Sequence, residues 1–252
     1  MRIEHPGEKD VPALRQLWKT AFGDDDGFLD DFFALAWQAD HSLCAREGEG
    51  LAGMLYWLDG SCGGQKIGYL YAVATAPACR GRGICRRLLE QAEKILKSRG
   101  YGAALLVPGS PGLRGMYEKL GWKTVTKVDV FACRAEDQLL TLRRVEKEEY
   151  AILRRAQLPA GGVVQEGKSL DFLASQEQFF AGNGVLLAGH WDNGRLITAE
   201  YLGDPQLAPG VLWALGADSG SFRSPGGGIP FAMEKRLSEK APEIRYFGLA
   251  FD

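Results

Sequence analysis

The sequence predicts a mixed α/β fold: a central mixed sheet flanked by helices, followed by a second, partial α/β unit. Three observations predict it. Short apolar strand-like runs alternate with amphipathic helical segments through residues 1–133. A strand–glycine–helix junction lies inside that stretch, at Tyr71–Leu89. The pattern then partly recurs at an offset of about 142 positions.

The elements follow in order. Val11, Leu14, Leu17, Trp18 and Phe22 stand at helical spacing in residues 10–22, and a second helix is expected over 27–38. Residues 42–58 read as a hairpin turning at Gly48-Glu49-Gly50. The run IGYLYAVAT at 67–75 is nearly all apolar, as a buried strand requires. Ile84, Leu88, Leu89, Ala92, Ile95 and Leu96 line one face of a helix over 84–99, which Gly100 ends. A strand at 102–107, a short helix at 113–120 and an alternating strand at 122–133 complete the first unit. Residues 134–143 are polar and form the expected junction.

Composition excludes several classes. The 252 residues allow one large domain or two small ones. Apolar residues at 46% and charged residues at 25% are ordinary globular values, unlike a disordered or coiled-coil chain. Lys plus Arg is 30 and Asp plus Glu is 32, a net charge of -2. No basic field therefore favours nucleic acid or an anionic membrane. No apolar run is long enough to span a bilayer, and MRIEHPGEKD lacks the apolar core of a secretion signal. Cys44, Cys62, Cys79, Cys85 and Cys133 are odd in number and never form CxxC. They point to a reduced, cytoplasmic chain without a disulfide framework or a metal site.

Chemistry concentrates at Tyr71–Leu89. A strand ends, Pro77 breaks it, and Arg80-Gly81-Arg82-Gly83 opens an amphipathic helix. A helix N-terminus offers N–H groups without internal partners and the positive end of its dipole. Glycines at 81 and 83 let the backbone approach a bulky anion, and Arg80, Arg82, Arg86 and Arg87 add charge. This composition suits a pyrophosphate cradle. A solvated loop and basic helix face is the bland alternative. A dinucleotide site needs G-x-G-x-x-G, and the third glycine is missing.

Arg80-Gly81-Arg82-Gly83-Ile84-Cys85 resembles motif A of the GNAT acetyltransferases, R/Q-x-x-G-x-G/A. Cys85 stands where that family usually has Gly or Ala. Met116-Tyr117-Glu118-Lys119-Leu120-Gly121-Trp122 resembles the second landmark, L-Y-x-x-x-G-F/W, at the expected spacing. The resemblance covers residues 1–133 well and persists afterwards only as the weak repeat. It implies a GNAT-type sheet over residues 1–135, the catalytic domain. A degenerate, truncated copy would occupy 142–252. It also implies that the strand matching Tyr69–Thr75 parts from the one matching Ala103–Val107, with acetyl-CoA as co-substrate in the gap and no metal. By that resemblance Val73, Ala74 and Thr75 hold the pantetheine arm, with a bulge in the strand. The N–H groups of Gly81, Arg82, Gly83, Ile84, Cys85 and Arg86, with Arg80, hold the pyrophosphate. Ser110 takes the place of the family's asparagine. Tyr117 becomes the general acid for the leaving thiolate, and the Val73 N–H the oxyanion donor.

The reaction so implied is N-acetylation of a primary amine on a small molecule or peptide, with neither nucleic acid nor membrane as partner; a homodimer is compatible. The alternative is a non-catalytic acyl-CoA-binding or regulatory module. No carboxylate lies on Tyr69–Thr75, so the base stays open among Asp59, Glu47, His41 or no residue at all. Asp24, Asp25, Asp26, Asp30 and Asp31 either steer a cationic acceptor or cap and solvate a helix. At the offset of about 142, Tyr69–Ala72 falls on Val211–Ala214, the helix Leu88–Leu96 on Pro230–Lys240 and Ala103–Leu105 near Gly248–Ala250. The cradle's counterpart is then Phe222–Gly228, with Pro225 in place of Gly83, which predicts one coenzyme per chain. Trp191, Glu200 and Trp213 are candidates to wall the acceptor pocket.

Overall fold

Strands and helices alternate much as the periodicity predicts, in a computed structural model that describes residues 1–251. Along the chain run β1 (Arg2–Glu4), α1 (Val11–Phe22), α2 (Asp26–Asp31), β2 (Ser42–Glu47), β3 (Gly50–Cys62), β4 (Gln65–Thr75), α3 (Ile84–Ser98), β5 (Ala103–Leu106), α4 (Pro111–Lys119) and β6 (Lys123–Thr124). Then follow β7 (Lys127–Arg134), β8 (Arg143–Val145), α5 (Lys147–Gln157), β9 (Val164–Gln165), α6 (Lys168–Gln176), β10 (Gln178–Gly182), β11 (Val185–Asp192), β12 (Arg195–Leu202), α7 (Ala208–Leu215), β13 (Ser219–Pro225), β14 (Ile229–Pro230) and β15 (Met233–Arg236).

The first unit comprises Met1–Lys123 and Glu234–Pro242. Its sheet runs in the order β1-β2-β3-β4-β5-β15-β6. β2, β3 and β4 form an antiparallel meander, whereas β4 and β5 are parallel. α1 buries Leu14, Leu17 and Trp18, and the Trp18 ring meets Tyr56 and Tyr71 of the sheet at 5.3 and 5.5 Å. α3 buries Ile84, Leu88, Leu89, Ala92 and Leu96, the face its periodicity predicts. Each such leucine or isoleucine, fully buried, contributes roughly 1.5–3 kcal/mol. α3 lies close on its side of the sheet because Gly68 has no side chain. A Cβ there would stand 2.9 Å from Leu96.

The second unit comprises Thr124–Met233 and Glu243–Asp252. Its sheet runs β14-β7-β13-β12-β11-β10-β8. Phe180, Leu187, Leu196, Tyr201, Val211, Leu212 and Phe222 belong to its core. The order β8, β10, β11, β12, β13 mirrors β1 to β5, with α7 in the place of α3. Both units thus use one plan. No described helix is long and apolar enough to cross a membrane.

Three expectations need correction. The strand expected over 122–133 is two strands: β6 stays in the first sheet, and β7 pairs with β13 in the second. The units observed therefore divide otherwise than at 135 and 142: the first ends at Lys123 and takes β15 from late in the chain, while β7 belongs to the second. The repeat register is also wrong. Val211–Ala214 lies on helix α7, Pro230–Lys240 contains β14 and β15, and Gly248–Ala250 is in no strand or helix. β12 is the counterpart of β4, and β13 that of β5. Phe222–Gly228 consequently belongs to β13 and the turn after it, and is not a loop leading into a helix.

Candidate active site

β4 supplies the floor of the site. It pairs with β5 at only three rungs, Ile67–Ala103, Gly68–Ala104 and Tyr69–Leu105. From Leu70 to Thr75 that edge has no strand partner among the described residues. On the other edge, Tyr56 pairs with Tyr71 but Met54 pairs with Ala74, so β4 carries one extra residue there. Ala72 lies in this bulge with φ 46°, a left-handed conformation that a non-glycine residue adopts at a cost. The bulge takes Val73 out of the regular ladder. Val73, Ala74 and Thr75 thus form a bulged strand end beside a gap, as the resemblance implied.

β4 leads through a 3-10 turn at Pro77–Cys79 into the glycine loop. Gly81 and Gly83 have φ 76° and 75°, and a Cβ on either would meet nothing within 4 Å. The backbone thus faces open space where an anion can approach. Gly83 caps α3 and accepts the Arg87 N–H at 3.1 Å. Ile84, Cys85 and Arg86, ahead of Arg87, have N–H groups at the free end of the helix. The arginines share this field unequally. Arg82 holds Glu47 at 2.7 Å and Arg86 holds Glu90 at 2.7 Å, while Arg80 is exposed. Main-chain N–H groups, rather than guanidinium forks, are the fixed part of the cradle.

Tyr117 sits in the last turns of α4, 6% exposed, with its ring edge-on to Trp122 at 6.3 Å. Burial, and then the neighbouring Cys85, push its hydroxyl well above the usual tyrosine range. Burial likewise raises the Cys85 thiol to about 11. The structure therefore brings the α3 N-terminus and Tyr117 together. Ser110 is the N-cap of α4, accepting the Leu113 N–H at 3.3 Å.

The candidate bases lie elsewhere or are engaged. His41 stacks on Trp57 at 5.2 Å, and Arg99 covers the same ring at 5.6 Å. Arg99 follows the C-terminus of α3, and a helix of 15 residues is about 22 Å long. His41 is therefore at the far end of α3 from the cradle. Glu47 is held by Arg82, and Asp59 accepts the Tyr101 hydroxyl at 2.5 Å. The acidic run is mostly structural. Asp24 accepts the Trp18 indole N–H at 2.7 Å, Asp25 caps α2 through the Phe28 N–H, and Asp26 and Asp30 pair with Arg15. Capping and pairing thus prevail over steering.

The three residues expected to wall a pocket from the second half do not share one place. Trp191 packs against Phe180 at 5.8 Å, and Trp213 is 55% exposed. Glu200 is fully buried and takes hydrogen bonds from Arg154, Tyr150 and Tyr246. In the second unit the counterpart of the β4–β5 gap is filled. β12 and β13 pair at Leu196–Gly220 and Ile197–Ser221, and the Thr198 hydroxyl then accepts the Arg223 N–H at 3.0 Å. Tyr201 and Phe222 stand edge to face at 5.2 Å between the same strands. Asp204 and Pro205 precede α7 where the first unit has its glycines.

The family description "Acetyltransferase (GNAT) domain" matches residues 2–125. Among solved structures, the chain is similar to a GCN5-related N-acetyltransferase from Kribbella flavida, at 15% identity and TM-score 0.71, over 95% of this chain and 73% of that one. One from Anabaena variabilis gives 14%, 0.73, 94% and 73%. A putative acetyltransferase from Pyrococcus horikoshii gives 16%, 0.67, 98% and 95%. At these identities the likeness extends the fold over nearly the whole chain. Among curated proteins no match is found.

Proposed function

Because residues 2–125 belong to the GNAT acetyltransferase family, we propose that the first unit transfers an acetyl group from acetyl-CoA to a primary amine on a small molecule or peptide. The observation that carries this reading is the gap itself: a bulged strand parting from its neighbour, next to a glycine-lined helix N-terminus. Acetyl-CoA as substrate would supply an activated thioester. The main chain of Val73, Ala74 and Thr75 would hold the pantetheine arm, with the Val73 N–H turned to the developing oxyanion. The N–H groups from Gly81 to Arg86, with Arg80, would hold the pyrophosphate. Ser110, already capping α4, keeps its second lone pair for the coenzyme. Tyr117, kept protonated by burial, would give its proton to the leaving sulfur. The five free cysteines support a reducing, cytoplasmic setting.

Calorimetry with acetyl-CoA, followed by thiol release in the presence of primary amines, tests the reading. Binding with amine-dependent release supports it. Binding without release for any amine supports a non-catalytic acyl-CoA module. Gly83→Val should weaken acetyl-CoA binding more than tenfold without unfolding the protein. Valine at φ 75° is strained and places a branched side chain in the open space before the helix. Unchanged affinity in that variant would move the coenzyme elsewhere.

Stoichiometry is a second expectation. Thr198, Tyr201 and Phe222 fill the second unit's gap, and Pro205 and Pro209 remove N–H groups around the start of α7. One acetyl-CoA should bind per chain, and two equivalent sites in the titration would contradict this reading.

A further inference from the structure

Four arginines surround the cradle, Arg80, Arg82, Arg86 and Arg87, and two of them hold carboxylates. The two pairs differ in kind. Arg86 and Glu90 lie one turn apart on α3 and align as a hydrogen bond at 2.7 Å. Arg82 and Glu47 also approach to 2.7 Å, but as a contact of charges without that alignment. They come from different elements as well: Arg82 stands in the glycine loop and Glu47 ends β2. Both are accessible, with the Arg82 side chain 55% and the Glu47 side chain 28% exposed. An exposed, poorly aligned ion pair holds its members weakly, so either can change partner.

β2 and β3 bring Glu47 to this place. The Ala76 N–H, just after β4, bonds to the Ala52 oxygen of β3 at 2.9 Å. Gly53, the next residue of β3, lies against the first turn of α3, where a Cβ on it would stand 2.8 Å from Ile84. Ala45 of β2 pairs with Gly53, and Glu47 follows two residues on. The end of the hairpin thus flanks the loop and sets a negative charge beside a site suited to an anion. A carboxylate there opposes the binding of a diphosphate, so its presence calls for a role. A diphosphate on the N–H groups from Gly81 to Arg86 would come within reach of Arg82, whose guanidinium fork matches phosphate oxygens as well as a carboxylate.

We propose that Glu47 is a resident counter-ion of the coenzyme cradle. It holds Arg82 in the free protein, yields it to the diphosphate on binding, and takes it back on release. The inference rests on the placement of the coenzyme at the N-terminus of α3. No covalent bond changes; one guanidinium changes its partner. Acetyl-CoA and its product coenzyme A carry the same diphosphate, so a cradle that grips one grips the other. With every arginine committed to the diphosphate, product would leave as slowly as substrate. Glu47 competes with both for Arg82. It lowers their affinity and favours departure of the product, a step that limits turnover in many enzymes. Glu90 plays no such part, because it follows Arg86 along one helix face and stays aligned with it.

Calorimetry with coenzyme A on the full chain reads the exchange without any acceptor. Glu47→Gln keeps the shape of the side chain and removes the competing charge. It should bind coenzyme A about fivefold more tightly than the wild type at low salt, and the gain should shrink as salt screens exposed charges. In an Arg82→Met background the same change at Glu47 should alter affinity by less than about twofold, because the contested partner is gone. The sign separates the roles. Weaker binding by Glu47→Gln overturns the proposal and makes the pair a brace for the loop. Unchanged binding overturns it too. A full gain in the Arg82→Met background also overturns it, since Glu47 would then act by repulsion without any exchange. A wild type that does not bind coenzyme A, or that binds it equally well as Gly83→Val, removes the coenzyme site itself, and this inference with it.

Discussion

Replacing Tyr117 by phenylalanine should lower kcat by about 10²-fold while leaving acetyl-CoA affinity within about twofold of the parent. The ring stays, so its edge contact with Trp122 at 6.3 Å stays. Only the hydroxyl is lost, and with it the proton for the leaving sulfur. The pH profile gives a second reading. Burial disfavours the charged phenolate, so the folded-state hydroxyl remains protonated well beyond the usual tyrosine range near 10. An alkaline limb below pH 10 therefore cannot come from Tyr117 and must persist in the variant. Cys85, which neighbours Tyr117 and whose thiol burial pushes up to about 11, should not generate one either. Wild-type turnover in Tyr117→Phe would reduce the residue to packing.

How much of this was legible in the sequence depends on how local each feature is. The cradle was legible because its requirements are local: a strand, a break, two glycines and an amphipathic helix within about 20 residues. α3 was legible because its apolar stripe is long and periodic. The gap and bulge came only from resemblance, since YLYAVAT has no signal that one edge is unpaired. The second unit's register was misread for a physical reason. APGVLWAL is short and apolar all round, and a buried helix turn and a buried strand share that pattern. The true counterpart of β4, RLITAEYL, carries Glu200, a residue type that is seldom fully buried unless paired. Its burial depends on partners at 150, 154 and 246, far away in sequence. β15 was invisible for a similar reason. MEKR has four residues and no period, and only the sheet it enters makes Glu234 a buried group. Local chemistry could be read; what long-range pairing does to a charged residue could not.

Glu200 supplies the other large effect, on stability. It is fully buried and accepts from the Arg154 Nε at 2.6 Å, from a second Arg154 nitrogen at 2.9 Å, and from Tyr150 and Tyr246 at 3.1 and 3.0 Å. Arg154 also donates to the Val163 oxygen at 3.1 Å. The cluster thus joins α5, β12 and the C-terminal segment. Arg154→Met should cost about 3–5 kcal/mol in urea unfolding, because it leaves a carboxylate buried without a countercharge. The two tyrosine hydroxyls remain as donors but cannot neutralise it. Tyr246→Phe removes one neutral donor and should cost only about 1–2 kcal/mol. A second substitution separates charge from packing. Adding Glu200→Gln to that variant removes the buried carboxylate and should recover part of the loss. A deficit untouched by Glu200→Gln would show that Arg154 stabilises the unit by packing alone.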